Sequence, residues 1–232
     1  MDFGMMRPEY NRFVDVLDAE LDGERFEIKH KTFAVTKIAH KQTTMIYSLD
    51  DSAINLPQGI LIDVCALDIA PDGTQNSQLA FNAIQEILTV VFSEPATLRE
   101  LEHLQHGERL VVELEVLEKI AAMPFDERVK ELFRYVDALS GQSSAVGFFQ
   151  DVLDGFYKSP MCKNFFDETI YLPFETIELP APKKFDEVLT ACYKNWRVPV
   201  RDGKQRSGIF HSADIPWRDF FRSIKFNPQI KS

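Results

Sequence analysis

The sequence predicts an α+β fold with a helical insert, and three observations predict it. Short apolar runs with strand-like patterning occupy the first seventy residues and return near residues 169–179. Between them, from about residue 76 to 139, apolar residues recur with helical rather than strand periodicity. No change in composition demands a second domain, so residues 1–232 read as one domain with helices inserted into an α+β frame.

Each element has its own reason. Pro8 to Leu21 reads as a helix: proline suits a first turn, and Tyr10, Phe13, Val14, Leu17 and Leu21 form one apolar stripe. Asp22-Gly23 ends it. Phe26 to Ile38 and Thr43 to Leu49 read as strands. Ile60 to Cys65, after Gln58-Gly59, is apolar on both faces and so fits a central strand. Asn76 to Phe92 is a helix, and Ser93-Glu94-Pro95 is a helix start with Ser93 near the cap. Further helices are expected to about His106, from Glu108 to Met123 and from Phe125 to Leu139. The last repeats apolar residues at Val129, Leu132, Phe133, Val136 and Leu139. Ser140 to Ser144 is a loop, and Thr169 to Phe174 and Glu175 to Leu179 are paired strands that Pro180 to Pro182 stop. Phe185 to Tyr193 is a short helix.

Composition narrows the function classes. Hydrophobic residues make up 45% and charged residues 27%, the balance of a globular domain. No run approaches the roughly 20 apolar residues of a membrane helix; the most apolar stretch, Gly59 to Ala70, is broken by Asp63 and Asp68. The N-terminus lacks a basic start followed by an apolar block, so no signal peptide is expected. Cys65, Cys162 and Cys192 are odd in number and far apart, which argues against a disulfide framework and fits a reducing cytosol. The net charge of -10 is uneven: residues 183–232 hold 11 Lys and Arg against 5 Asp and Glu, the rest 15 against 31. The basic segment suits a phosphorylated ligand or is a solvated surface, and the overall acidity argues against nucleic acid as a partner.

Few residues could carry chemistry. Phosphoryl transfer at Mg²⁺ needs carboxylates converging on one or two ions. Asp2, in Met1-Asp2-Phe3-Gly4-Met5, is one candidate and Asp63, in an apolar strand, is the other. A carboxylate in such a strand is costly unless paired, hydrogen-bonded or on a metal, so Asp63 is a metal ligand or a structural acid. Asp68, placed just past the strand, reads as structural. Arg7, at the entrance of the first helix, and Lys37, on a strand, could clamp phosphate oxygens or be surface charges. His103 and His106 are three apart, yet Glu102, Gln105 and Glu108 make an exposed face the better reading. His30, His40 and His211 are isolated, and Trp196 and Trp217 read as packing.

In this order the pieces resemble the LicD family, which includes the fukutin-related proteins. Its members carry a Trp-Asp-Asp-Asp-x-Asp-x-Gly-Met-x-Arg-x-x-Tyr signature, whose end Asp2-Phe3-Gly4-Met5-Met6-Arg7-Pro8-Glu9-Tyr10 matches. A later segment, roughly Gly-x-x-x-Asp-(x)4-Asp, is matched by Gly59, Asp63 and Asp68. Phe33 to Ile38 resembles the family strand bearing a basic residue. Leu172 to Glu175, Leu179 to Pro182 and Phe185 to Leu189 resemble its C-terminal block, closed by a segment around Tyr193. The likeness spans about residues 1 to 200, and only the first segment and Gly59–Asp68 are specific.

The family's Gly-x-x-Leu-Gly-Ala-x-Arg stretch and its other acids have no counterpart here. The resemblance therefore implies a nucleotidyltransferase-like mixed sheet with a helical insert and C-terminal helices, lacking its first strand or strands. It further implies a transferase that moves phosphocholine or a related phospho-alcohol from a CDP-linked donor nucleotide to a cell-surface glycan acceptor, such as lipopolysaccharide or teichoic acid. Asp2 and Asp63 would be the catalytic, metal-holding acids, with Mg²⁺ or Mn²⁺, and Arg7 and Lys37 would bind donor phosphates. The expected location is the cytoplasm, with peripheral association at the inner face of the membrane. The alternative is a non-catalytic, truncated remnant that binds nucleotide or glycan without turnover.

Overall fold

In a computed structural model, described for residues 2–46, 58–92, 110–153, 159–199 and 210–225, strands and helices alternate along the chain. The first five strands and first helix are β1 (Asp2–Met6), α1 (Arg7–Glu20), β2 (Phe26–Lys31), β3 (Val35–His40), β4 (Thr44–Ile46) and β5 (Leu61–Ala70). Then come α2 (Gln75–Phe92), α3 (Leu114–Ala121), α4 (Phe125–Leu139), β6 (Ala145–Phe148), α5 (Phe149–Leu153) and β7 (Met161–Cys162). The chain continues with β8 (Thr169–Phe174), β9 (Ile177–Pro182), α6 (Phe185–Tyr193), β10 (Phe210–Ser212) and α7 (Trp217–Lys225). The mixture is α+β, as expected. The chain divides into two compact units, Met1–Leu67 with Pro199–Ser232, and Asp68–Val198.

In the first unit β5 is the central strand. β3 pairs with it antiparallel, from Val35↔Cys65 to Ala39↔Leu61. β1 pairs with it parallel on the other edge, from Asp2↔Asp63 to Met6↔Leu67. β2 adds to the far side of β3 as an antiparallel hairpin. Side chains alternate faces along a strand. Thr36 and Ile38 therefore stand on one face of β3, and Val35, Lys37 and Ala39 on the other. α1 covers the Thr36 face: the buried Tyr10 hydroxyl meets Thr36 Oγ1 at 2.9 Å and donates to the Thr32 carbonyl. Burial raises the pKa of that phenol.

The expected strand from Phe26 to Ile38 is two strands. Thr32 makes the turn, its Oγ1 accepting from the amides of Ala34 and Val35 at 3.2 and 3.0 Å. This turn carries no glycine or proline, the residues by which turns are usually read. After β4 the chain needs Gly59 for a different reason. A Cβ there would stand 2.0 Å from the His40 carbonyl oxygen, so only glycine allows this approach. Of the expected strand Thr43 to Leu49, β4 holds Thr44–Ile46, and residues 47–49 lie outside the described ones.

A second core of this unit joins distant sequence. β10 pairs antiparallel with β4, and Trp217 and Phe221 of α7 pack on the buried Ile46. Trp217, Phe220 and Phe221 follow helical i, i+3, i+4 spacing. The indole Nε1 of Trp217 donates to Glu27 Oε1 at 2.9 Å, and Thr44 Oγ1 donates to the Ile215 carbonyl at 2.6 Å. Trp217 thus packs, as expected.

The second unit holds the helices. α2 buries Ala80, Ala83, Ile84, Ile87, Leu88 and Val91 along one stripe, and α4 buries Leu132 and Val136. Arg128 of α4 donates to the Val90 carbonyl at 3.1 Å. Asp72, at the start of α2, ties three segments together. Its Oδ1 accepts from the amide and hydroxyl of Thr74, its Oδ2 from the amide and hydroxyl of Ser144, and its own amide donates to Ser77 Oγ. These donors hold its carboxyl far below the usual carboxylate range, the Ser144 amide foremost.

Four expectations are corrected here. β5 runs on to Ala70, so Asp68 lies inside the strand, 4% exposed, rather than past it. The helix expected from Glu108 begins at Leu114; residues 108 and 109, like the helix expected between Ser93 and His106, lie outside the described residues. The loop Ser140 to Ser144 opens with a 3₁₀ turn, Ser140–Gln142. Pro180 to Pro182 lie inside β9, with Pro180 opposite Tyr171 and Pro182 opposite Thr169. β8 and β9 form a two-stranded ribbon whose outer edges make no ladder bonds among the described residues, so proline's missing N–H removes no ladder bond there.

Candidate active site

The site lies in the first unit, on the face of β3 and β5 away from α1. Lys37 and Asp63 are direct cross-strand partners, and Asp2 is the register partner of Asp63 on the opposite edge of β5. One row therefore reads Asp2, Asp63, Lys37 across three strands, with neighbouring strands about 4.8 Å apart. Sixty residues of sequence separate the two acids; a parallel pairing brings them side by side.

Lys37 Nζ donates to Asp63 Oδ2 in an ion pair whose side chains are 32% and 21% exposed. The other carboxylate oxygen, Asp63 Oδ1, is buried and meets no hydrogen-bond donor among the described residues. A buried acceptor without a donor is costly, more so when charged. A divalent cation is one partner that would satisfy it. Among the described residues no group of three or more His, Cys, Asp and Glu stands together as a metal site. Mg²⁺ asks for less: it commonly takes one or two carboxylates and completes its shell with water and substrate phosphates. The open oxygen of Asp63 fits such an ion.

Arg7 lies elsewhere. It opens α1, one residue past the end of β1, and is 5% exposed. Its Nη1 donates to the carbonyl of Phe33, and its guanidinium sits 5.3 Å from the centre of the Tyr10 ring. Phe33 stands four positions before Lys37, so the guanidinium holds the β2–β3 turn and is not brought into the row. Asp68 is buried in β5, five residues beyond Asp63.

One residue of the site escaped the sequence reading. Lys29, on β2, is half-buried, and its pKa is lowered first by burial and then by the charge of Lys37, while Asp63 raises it. Nothing local marks Lys29; only the pairing of β2 with β3 brings it near the pair. The remaining candidates stay apart. His40 packs edge-on against Phe26 at 5.0 Å and accepts from the Gln42 amide, and His211 is exposed on β10. His103 and His106 lie outside the described residues. Trp196 Nε1 donates to Asp186, with Arg197 over its ring at 4.5 Å, again as packing. Cys65, Cys162 and Cys192 are free thiols. No helix among the described residues is long and apolar enough to cross a membrane. Comparison with family models, curated proteins and solved structures finds no match to this chain.

Proposed function

We propose that the chain is a phosphotransferase of LicD type with a nucleotidyltransferase-like sheet. It moves phosphocholine or a related phospho-alcohol from a CDP-linked donor to a hydroxyl of a cell-surface glycan. The observation that carries this reading is the parallel register of β1 and β5, which sets Asp2 beside Asp63 with Lys37 across from it. Three sequence segments that resemble the family separately supply adjacent positions of one row. Gly59, matched in the same resemblance, has a steric reason of its own in the close approach to His40.

The chemistry follows from the row. The acceptor hydroxyl forms a new bond to the phosphorus that bears the choline, the bond from that phosphorus to CMP breaks, and the hydroxyl proton is released. Such transfer depends on positioning and on neutralising charge on the phosphate oxygens. Asp2 and Asp63 would hold Mg²⁺ or Mn²⁺, which when bound neutralises that charge. Lys37 swings between Asp63 and a donor phosphate oxygen, and Asp63 keeps the amine close by. Arg7 acts indirectly, by holding the turn that leads into the strand of Lys37. The reading sets the protein in the cytoplasm, with peripheral association at the inner membrane face.

The test is release of CMP from CDP-choline or CDP-ribitol with Mg²⁺ and a glycan acceptor, beside calorimetry with each donor. Metal-dependent release supports the reading. Binding without release points to a nucleotide-binding module, and neither binding nor release refutes the transferase.

A further inference from the structure

The row extends one strand further than the sequence suggested. β2 carries a bulge: Ile28 pairs with Ile38 and His30 pairs with Lys37, so Lys29 is the extra residue between two pairs. Ile28 shares the face of Ile38. Alternation along β2 then sets Lys29 on the opposite face, that of Lys37 and Asp63. Lys29 is half-buried, as is Lys37. Two ammonium groups brought together on a partly buried face repel, and the repulsion is felt at Lys29. A ligand with several adjacent negative charges turns this repulsion into attraction, and a row ending in two acids at one side and two amines at the other fits a metal-bound diphosphate.

We propose that Lys29 and Lys37 form a two-lysine clamp for the diphosphate of the nucleotide-linked donor, with Lys29 as its outer arm. This deepens the transferase reading and rests on it for the identity of the donor. Alternation from Ile28 sets Lys29 on the row's face, and the bulge leaves it as the extra residue beside the His30–Lys37 pair.

Calorimetry with inorganic pyrophosphate and Mg²⁺ tests the clamp on the whole chain. Lys29→Met is expected to weaken pyrophosphate binding about tenfold, the value of one charge-assisted contact, and Lys29→Arg to restore most of it. Titration with Mg²⁺ alone should give the same affinity in wild type and Lys29→Met. A second measurement needs no variant: pyrophosphate should slow acylation of Lys29 in the wild-type chain, read by mass spectrometry. Equal affinity in Lys29→Met and wild type, or equal acylation with and without pyrophosphate, overturns the clamp. The two readings fail separately. Transfer from CDP-choline that is unchanged in Lys29→Met removes the clamp and keeps the transferase; a pyrophosphate clamp without any transfer does the reverse.

Discussion

Replacing Asp63 with asparagine separates a metal-holding acid from a structural one. The substitution keeps the shape and removes the charge. Its stability cost comes from Lys37, whose ion pair with Asp63 is partly exposed and so contributes only about 1 kcal/mol. The amide oxygen still accepts from the lysine, which retains part of that. On the other side, Oδ1 of Asp63 is buried without a donor among the described residues, and a neutral amide is cheaper to bury there than a carboxylate, by about 1 kcal/mol. The two effects nearly cancel. For a chain of this size about 1 kcal/mol shifts Tm by about 2–4 °C, so the variant should melt within about 4 °C of wild type. Turnover should fall far more. Loss of one preorganised charge contact in a transfer site costs about 3–4 kcal/mol, a few hundredfold or more in rate. The assays are thermal unfolding followed by circular dichroism and CMP release from CDP-choline with Mg²⁺. A drop in Tm beyond about 10 °C, or turnover within about threefold of wild type, would refute the reasoning.

Other substitutions probe the scaffold. Gly59→Ala puts a Cβ into the His40 carbonyl, a backbone atom that cannot swing aside; the expected loss is about 2–4 kcal/mol in urea unfolding, and an unchanged midpoint would show that the two segments separate freely. Arg7→Met removes a buried guanidinium that donates to the Phe33 carbonyl and should cost about 1–3 kcal/mol in the same assay; loss of donor affinity with full stability would instead make Arg7 a phosphate ligand. Asp72 has a depressed folded pKa, so its contribution is present above the ordinary carboxylate range and is lost as pH falls below about 4. Asp72→Asn should therefore be less stable than wild type at pH 7, and the gap should narrow at pH 3; a gap that stays constant or widens on acidification contradicts the network.

Much of the frame was legible in the residues themselves. α1, α2, α4 and α6 follow from apolar spacing that a helix alone satisfies, and their bounds fall within a residue or two of the pattern. The hairpin of β2 and β3 was not legible. Its turn rests on the Thr32 hydroxyl, and no glycine or proline in Thr32-Phe33-Ala34 marks the reversal. The prolines of β9 misled for a related reason: whether proline breaks a strand depends on whether its nitrogen faces a neighbour, and only pairing decides that. α7 was not placed individually from the sequence, because its stripe of Trp217, Phe220 and Phe221 is short and its partner, Ile46, stands some 170 positions earlier.

The same division runs through the site. Residue identity alone determined that Asp63, a carboxylate in an apolar strand, needs a partner, since burying such a group without one is too costly. It also singled out Lys37 and Asp2 as groups suited to phosphate and metal. Tertiary structure decided which of these meet. The register of β1 on β5 sets Asp2 beside Asp63, the register of β3 sets Lys37 across from Asp63, and the pairing of β2 with β3 sets Lys29 on the same face, while α1 takes Arg7 into the core. Strand pairing is a long-range choice made by hydrogen bonds and burial across sixty residues, and no local pattern encodes which row a side chain will join.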